Sequence, residues 1–200
     1  MSDQLLAGAF SVDITPPIGL AMAGYGARDH PSEGILEPLY AYAIALEQGD
    51  VCCALVVADL IGVKGHITTA VRERVAALSD LPPEKVFISA THTRWGPVLA
   101  RTEYLAEQLN RAVSEEYTAT LIMDLATAAV EAWNAREPAL ALAGTGWADG
   151  VKFNRRPVGP DGKVVMSLAM ELEQARVASA EGARLAQTWV KGVVVDNRPG

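Results

Sequence analysis

An α/β fold, with helices covering a mixed sheet, is what this sequence predicts, on three observations. Val51–Ala58, the helical pattern of Val63–Leu78 and the run Val86–Ala90 make a strand, helix, strand unit, which favours a sheet packed under helices. Leu39–Glu47 precedes that unit across the turn Gln48-Gly49-Asp50, so the first two of these strands read as a hairpin. Thr102–Ala135 then carries Leu105, Leu109, Ala112, Leu121, Leu125, Ala129 and Trp133 at helical spacing.

Taken in order, Leu6–Ile14 alternates loosely and stops at Thr15-Pro16-Pro17, because proline has no N–H to give a strand ladder. Gly19–Pro38 is rich in Gly and Pro and reads as an ordered loop; loops this long within a compact domain are usually functional or disordered. Within Val63–Leu78 the apolar stripe is Ile67, Ala70, Val71, Val75 and Leu78, and Leu81-Pro82-Pro83 closes the helix. A single helix over Thr102–Ala135 would be roughly 50 Å long at 1.5 Å per residue, too long for a domain of this size. Ser114 followed by Glu115 and Glu116 reads as an N-cap with an acidic first turn, so a break is expected there. Leu140–Trp147 reads as a strand, Asn154-Arg155-Arg156-Pro157 and Gly159-Pro160-Asp161-Gly162 as loop and turn, and Leu168–Trp189 has helix-forming composition. Gly192–Val195 reads as a last strand, and Asp196–Gly200 as the turn into a partner that does not follow. Such a strand leaves an open edge. The expectation is therefore an incomplete portion of a larger domain, or a sheet completed by another molecule.

The chain of 200 residues is the size of one generous domain, and residues 1–200 are read as one. Half the residues are hydrophobic and a fifth charged, as in folded globular chains. A net charge of −7 argues against nucleic acid or an anionic membrane as partner, since both need a basic face. The N-terminal residues lack the basic and apolar regions of a secretory signal, and no window reaches the ~18 uninterrupted apolar residues of a membrane span. Cys52 and Cys53 are adjacent; on a strand they point to opposite faces, so a disulfide between them is not expected and they are read as buried thiols in a reducing cytoplasm.

Chemistry concentrates at "FISATHTRWGP", Phe87–Pro97. A strand there delivers His92 just beyond its C-terminal end, where ligands bind in open α/β sheets. His92 is read as a metal ligand or proton-transfer group, with a hydrogen-bonded structural histidine as the alternative. Asp59 is delivered comparably by Val56-Val57-Ala58, as a site carboxylate or as a loop anchor. His30 lies in the glycine-rich loop, near the site or solvated, and His66 is expected exposed near a helix start. Arg155 and Arg156 are suited to a carboxylate or an oxyanion. No HExxH, GxSxG, Walker loop or strand-linked GxGxxG occurs.

Five segments in order carry a resemblance: "AGAFSVDITPPIGLAMAGYGAR", "EGILEPLYAYAIAL", "VVADLIG", "FISATHTRWGP" and "VKFNRRPVGPDGKVV". Together they resemble the N-terminal region of the catalytic domain of neutral/alkaline, non-lysosomal ceramidases. The resemblance runs from about Ala7 to the end of the chain and corresponds to the first part of the family's catalytic region. It implies a zinc-dependent amidase that hydrolyses the N-acyl bond of ceramide or a related lipid amide. It implies zinc held by two histidines, a glutamate and a tyrosine, acting as Lewis acid and water activator.

The family's strand-end motif THTHSGP places its first histidine, a zinc ligand, on His92 and its second, which lines the site, on Arg94. Arginine has no lone pair for a metal and cannot shuttle a proton near neutral pH, so Arg94 is read as an oxyanion clamp. Residues two apart in an extended segment project to one side, so this pair is expected to face one pocket. Trp95 replaces a serine and crowds the mouth, and Tyr42 stands where the family has the arginine of its ARA strand. Asn154 and Arg155 are kept, with Arg155 as the substrate-orienting group; Tyr25 and Trp95 are expected to touch substrate. The other implied ligands lie beyond Gly200. Two readings follow: a ceramidase-like hydrolase, inactive as this chain alone, or a degenerate relative that acts as a binding or interaction module. The open edge admits homo-oligomerisation or completion by further sequence.

Overall fold

The computed structural model describes residues 4–147, 162–164 and 189–196. The chain divides into two compact units, one running to Leu140 and the other from Ala141 to Asp196.

The first unit is built on a five-stranded mixed sheet. Its strands are β1 (Leu6–Asp13), β2 (Tyr40–Gln48), β3 (Val51–Ala58), β4 (Val86–Ala90) and β5 (Glu137–Pro138), in the order β4-β3-β2-β1-β5. The hairpin expected at Gly49 is present: Gln48 faces Val51 across it, and Gly49 takes φ 59°, which a tight two-residue turn demands. β3 and β4 pair in parallel, joined through helix α1 (Gly65–Leu78), which is the expected strand, helix, strand unit. The other pairings are antiparallel.

Alternation along β2 and β3 sorts the sheet into two faces. Ala41, Ala43, Ala45, Ala54, Val56 and Ala58 point inward and are fully buried. Against them lie Ile67, Val71 and Val75 of α1 and Leu121, Leu125, Ala128 and Ala129 of helix α3 (Glu115–Asn134). Alanine on the inner strands leaves room for the helices to seat closely, and the apolar area removed from water is the main force holding the layers. Leu78, the last residue of the predicted stripe, is exposed. The opposite face carries Tyr42, Ile44, Leu55, Val57 and Phe87, all exposed. Among the described residues, then, helices cover one face of the sheet and leave an apolar second face open.

The break in the long helical pattern falls where the sequence places it. Ser114 caps α3, its Oγ accepting from the Tyr117 N–H at 3.0 Å, with Glu115 and Glu116 in the first turn. Before it, helix α2 is only Glu107–Arg111. Residues ahead of α2 do not join it because Asn110 captures their backbone: its Oδ1 accepts from Thr102 N–H, and its Nδ2 donates to the carbonyls of Thr102 and Leu105.

At the far end of α3 the Arg136 guanidinium stacks on the Trp133 ring and pairs with Glu47 of β2 at 2.8 Å. Trp133 Nε1 donates to Asp80 at 2.6 Å. Near its start, the buried Tyr117 hydroxyl donates to the Ile14 carbonyl at 2.6 Å, tying α3 to the end of β1. Burial pushes this hydroxyl well above the usual tyrosine range, with the charges of Asp124 and Asp13 adding, so it stays a donor. Tyr117→Phe leaves that carbonyl without its donor and is expected to cost about 1–3 kcal/mol, read by denaturant unfolding. Stability equal to wild type would contradict the assignment.

In the second unit, β6 (Leu140–Trp147) and β7 (Trp189–Asp196) form a two-stranded sheet. The strand expected at Gly192–Val195 is therefore present in β7, and its partner lies upstream. Residues 168–188 of the expected last helix lie outside the described residues, and Trp189 opens β7.

Candidate functional site

Because Ala58 pairs with Ala90, the parallel strands β3 and β4 end side by side, and the residues just beyond them meet. Thr91 N–H donates to the Ala58 carbonyl at 3.0 Å, and Thr91 Oγ1 donates to Asp59 Oδ1, also at 3.0 Å. The other carboxylate oxygen of Asp59 accepts from Tyr40 N–H at 3.1 Å. Asp59 thus ties the ends of β3 and β4 to the start of β2 with both oxygens engaged, and it also lines the cavity described below.

His92 follows directly. It is the one non-glycine residue with a left-handed backbone among the described residues, at φ 63°. Histidine tolerates that region better than most residues, and such positions cluster at functional sites. Its ring is exposed, and Nδ1 lies 2.7 Å from the Ile61 carbonyl oxygen. A carbonyl can only accept, so Nδ1 carries the proton and Nε2 keeps its lone pair in the neutral ring. Metal-ligating histidines are oriented by this kind of hydrogen bond.

The backbone at His92 is left-handed rather than extended. Thr93 and Trp95 line the cavity, while His92 and Arg94 do not. Arg94 is exposed, and its backbone is the surface on which the glycine-rich loop docks. Gly24, at φ 106°, sits so close that a Cβ added there would overlap the Arg94 Cα and Cβ and lie 2.6 Å from its carbonyl oxygen. Around this contact Ala23 N–H donates to the Gly96 carbonyl, and Val98 N–H to that of Ala21, both at 2.8 Å. The bridge between Met22 and Pro97 lies between them. On its other side the loop is held by Ala21 N–H to the Ala112 carbonyl and by Ala21 packing on Leu109 and Val113.

Docked in this way, the loop walls a cavity of about 640 Å³, within the range of small-ligand sites. Thr15, Pro16, Met22, Ile35, Leu36 and Leu39 line it together with Asp59, Thr93 and Trp95. His30 lines it too; its Nδ1 donates to the Pro31 carbonyl at 2.9 Å and lies 3.8 Å from the Glu33 carboxylate.

At the rim, Tyr25 and Trp95 meet edge to face with centroids 5.7 Å apart. The Arg28 guanidinium lies 5.6 Å from the first ring and 5.1 Å from the second, so the three form one cation–π cluster. Trp95 is nevertheless 61% exposed. Arg28, Thr93 and Gly24 are site residues that sequence reasoning missed. The available signal was the spacing in GYGAR: Arg28 N–H reaches the Tyr25 carbonyl at 3.2 Å, a turn that brings the two side chains together.

The other candidates fall elsewhere. His66 is exposed in the first turn of α1. Tyr42 stands on the open sheet face, its ring 5.9 Å from that of Tyr40. Asn154, Arg155 and Arg156 lie outside the described residues. Cys52 and Cys53 are free, as expected, but half-buried rather than buried. Burial pushes the Cys53 thiol up, with Cys52 adding and Lys85 opposing, so it is held in the unreactive protonated form.

As for zinc, His92 has the free nitrogen and the carbonyl partner that one ligand requires. Both oxygens of Asp59 already hold donors, and no group of three or more His, Cys, Asp or Glu side chains suited to a metal occurs among the described residues. These residues therefore fit one position of a zinc site and do not complete it.

No protein-family model matches the chain, and no curated protein matches it. Among solved structures, the neutral ceramidase from Pseudomonas aeruginosa aligns with a TM-score of 0.68 at 22% identity, covering 78% of this chain and 25% of that one. The chain has a neutral-ceramidase-like fold. A ceramidase complexed with C2 aligns at a TM-score of 0.67 and 18% identity, covering 80% of this chain and 30% of its own. The chain thus spans 25–30% of the length of these two ceramidases, in keeping with an incomplete portion of a larger domain. Among the described residues no helix is long and apolar enough to cross a membrane.

Proposed function

We propose that this chain forms the His92-bearing part of a zinc-dependent hydrolase that cleaves the N-acyl amide bond of ceramide or a related lipid amide. The observation that carries the proposal is the hydrogen bond from His92 Nδ1 to the Ile61 carbonyl, which presents Nε2 outward at the end of two parallel strands. Zinc, when bound, supplies a Lewis acid and an activated water. The residues of this chain do the rest. His92 holds one ligand position, and the remaining ligands come from outside the described residues. Arg94 stands beside His92 as a fixed positive charge suited to a developing oxyanion. Asn154 and Arg155 orient the amide. The acyl chain lies in the cavity behind the docked loop, bounded by Trp95 and Tyr25, with His30 and Asp59 on the polar side. The free cysteines favour a reducing cytoplasm. The open apolar face favours coverage by a second copy or by further sequence of the same protein.

Metal analysis and an amide-cleavage assay test this together. In a form that includes the sequence supplying the remaining ligands, the protein is expected to hold zinc and release fatty acid from a ceramide analogue, and His92→Ala is expected to lower its zinc occupancy at least about tenfold. A folded, metal-free protein without cleavage would refute the hydrolase reading. One observation favours a second reading, a binding module without catalysis: the cavity is formed within the first unit while Arg94 occupies the place of a site histidine. That reading expects lipid-amide binding unaffected by His92→Ala.

A further inference from the structure

The cavity walls are largely apolar, and within that lining Arg28 is chemically out of place. Among the described residues it is the only arginine or lysine lining the cavity. It is half-buried, held from two sides by the rings of Tyr25 and Trp95 rather than by a carboxylate. No Asp or Glu oxygen lies within 4.0 Å of its guanidinium, and its side chain donates no hydrogen bond, among the described residues. Its five N–H donors thus have no acceptor among the described residues and stay available to a ligand. Stacking on aromatic faces leaves the edges of a guanidinium open, and those edges match a carboxylate bidentately.

The acidic groups around it do not fill that role. Glu33 and Glu37 line the cavity but are exposed to solvent, and Asp59 has both oxygens occupied by Tyr40 and Thr91. The same lining includes Pro16, Met22, Ile35, Leu36 and Leu39, a surface for hydrocarbon.

We propose that the cavity takes a lipid amide bearing a carboxylate, with the acyl chain on the apolar wall and the carboxylate on the edge of Arg28. The proposal rests on the lipid-amide reading above and sharpens it: an anionic N-acyl compound is preferred over a neutral one of the same length. Arg28 is a specificity-determining residue here and takes no part in bond cleavage.

Binding separates this from a structural role for Arg28. N-lauroylglycine and its uncharged carboxamide, N-lauroylglycinamide, are titrated into the full chain by calorimetry, with Trp95 fluorescence as a second readout. Wild type is expected to bind the acid about tenfold more tightly than the amide, the scale of one charge-assisted contact. Arg28→Gln is expected to abolish that difference by weakening the acid alone, while Arg28→Lys keeps part of it. Equal affinity of wild type for both compounds, binding of neither, or an equal loss of both in Arg28→Gln would overturn the proposal. Charge-selective binding without hydrolysis upholds it and counts against the hydrolase reading. Hydrolysis without charge selectivity overturns this proposal alone.

Discussion

Gly24→Ala is expected to lower lipid-amide hydrolysis roughly a hundredfold, the scale of a site displaced by about 1 Å, while Gly26→Ala in the same GYG stretch stays near wild type. The two glycines differ in backbone conformation and in what surrounds them. Gly24 has φ 106° and lies against the Arg94 backbone, so an added methyl is strained and also overlaps main-chain atoms. Main chain cannot rotate aside as a side chain does, so either the loop lifts or the turn carrying His92 and Trp95 shifts. Gly26 has nothing within 4 Å of an added Cβ. Because Trp95 sits at this junction, the tryptophan emission of the protein should change in Gly24→Ala even where hydrolysis is too slow to follow. Unchanged emission and activity would show that the loop does not hold the turn in place.

The second large effect concerns the fold. Gly8→Ala is expected to destabilise the protein by roughly 3 kcal/mol, lowering Tm by about 6–12 °C for a chain of this size. Gly8 is buried on β1, where the strand runs directly over the end of α3. A Cβ there would overlap the Ala132 carbonyl oxygen and fall 2.8 Å from both the Ala135 carbonyl carbon and the Arg136 amide nitrogen. All three are backbone atoms at the close of a helix that carries much of the core. Gly62→Ala is the control, since nothing lies within 4 Å of its added methyl. Thermal unfolding of the two variants decides the matter, and a Gly8→Ala protein that melts with wild type would refute the close approach.

The parts of this molecule legible in the sequence are those decided by neighbours along the chain. Alternating Ala41, Ala43 and Ala45 read as a strand because the side-chain period is two. Ser114, Glu115 and Glu116 read as a helix start because a cap needs only its own first turn. Gly49 marked the hairpin because a two-residue turn needs a positive φ. Of the site, the THTRW segment and the glycine-rich loop stood out, and with them His92, Trp95, Tyr25, Asp59 and His30. Their contacts did not. The even spacing of His92 and Arg94 promised a shared direction, whereas Thr93 and Trp95 are the residues of this segment that line the cavity.

By itself, then, the sequence determined the order of strands and helices from β1 to α3, the parallel unit that ends at His92, and the presence of a long loop with chemical potential. Only the tertiary structure decided that the helices cover one face of the sheet, that His92 is oriented by the Ile61 carbonyl, and that Arg28 stands against Tyr25 and Trp95. The physical reason is the range of the forces involved. Propensity, capping and turn strain act over a few residues and leave a local trace, whereas a carbonyl that selects a tautomer, or two rings that hold a cation, come from segments far apart in the chain and exist only once the loop has docked.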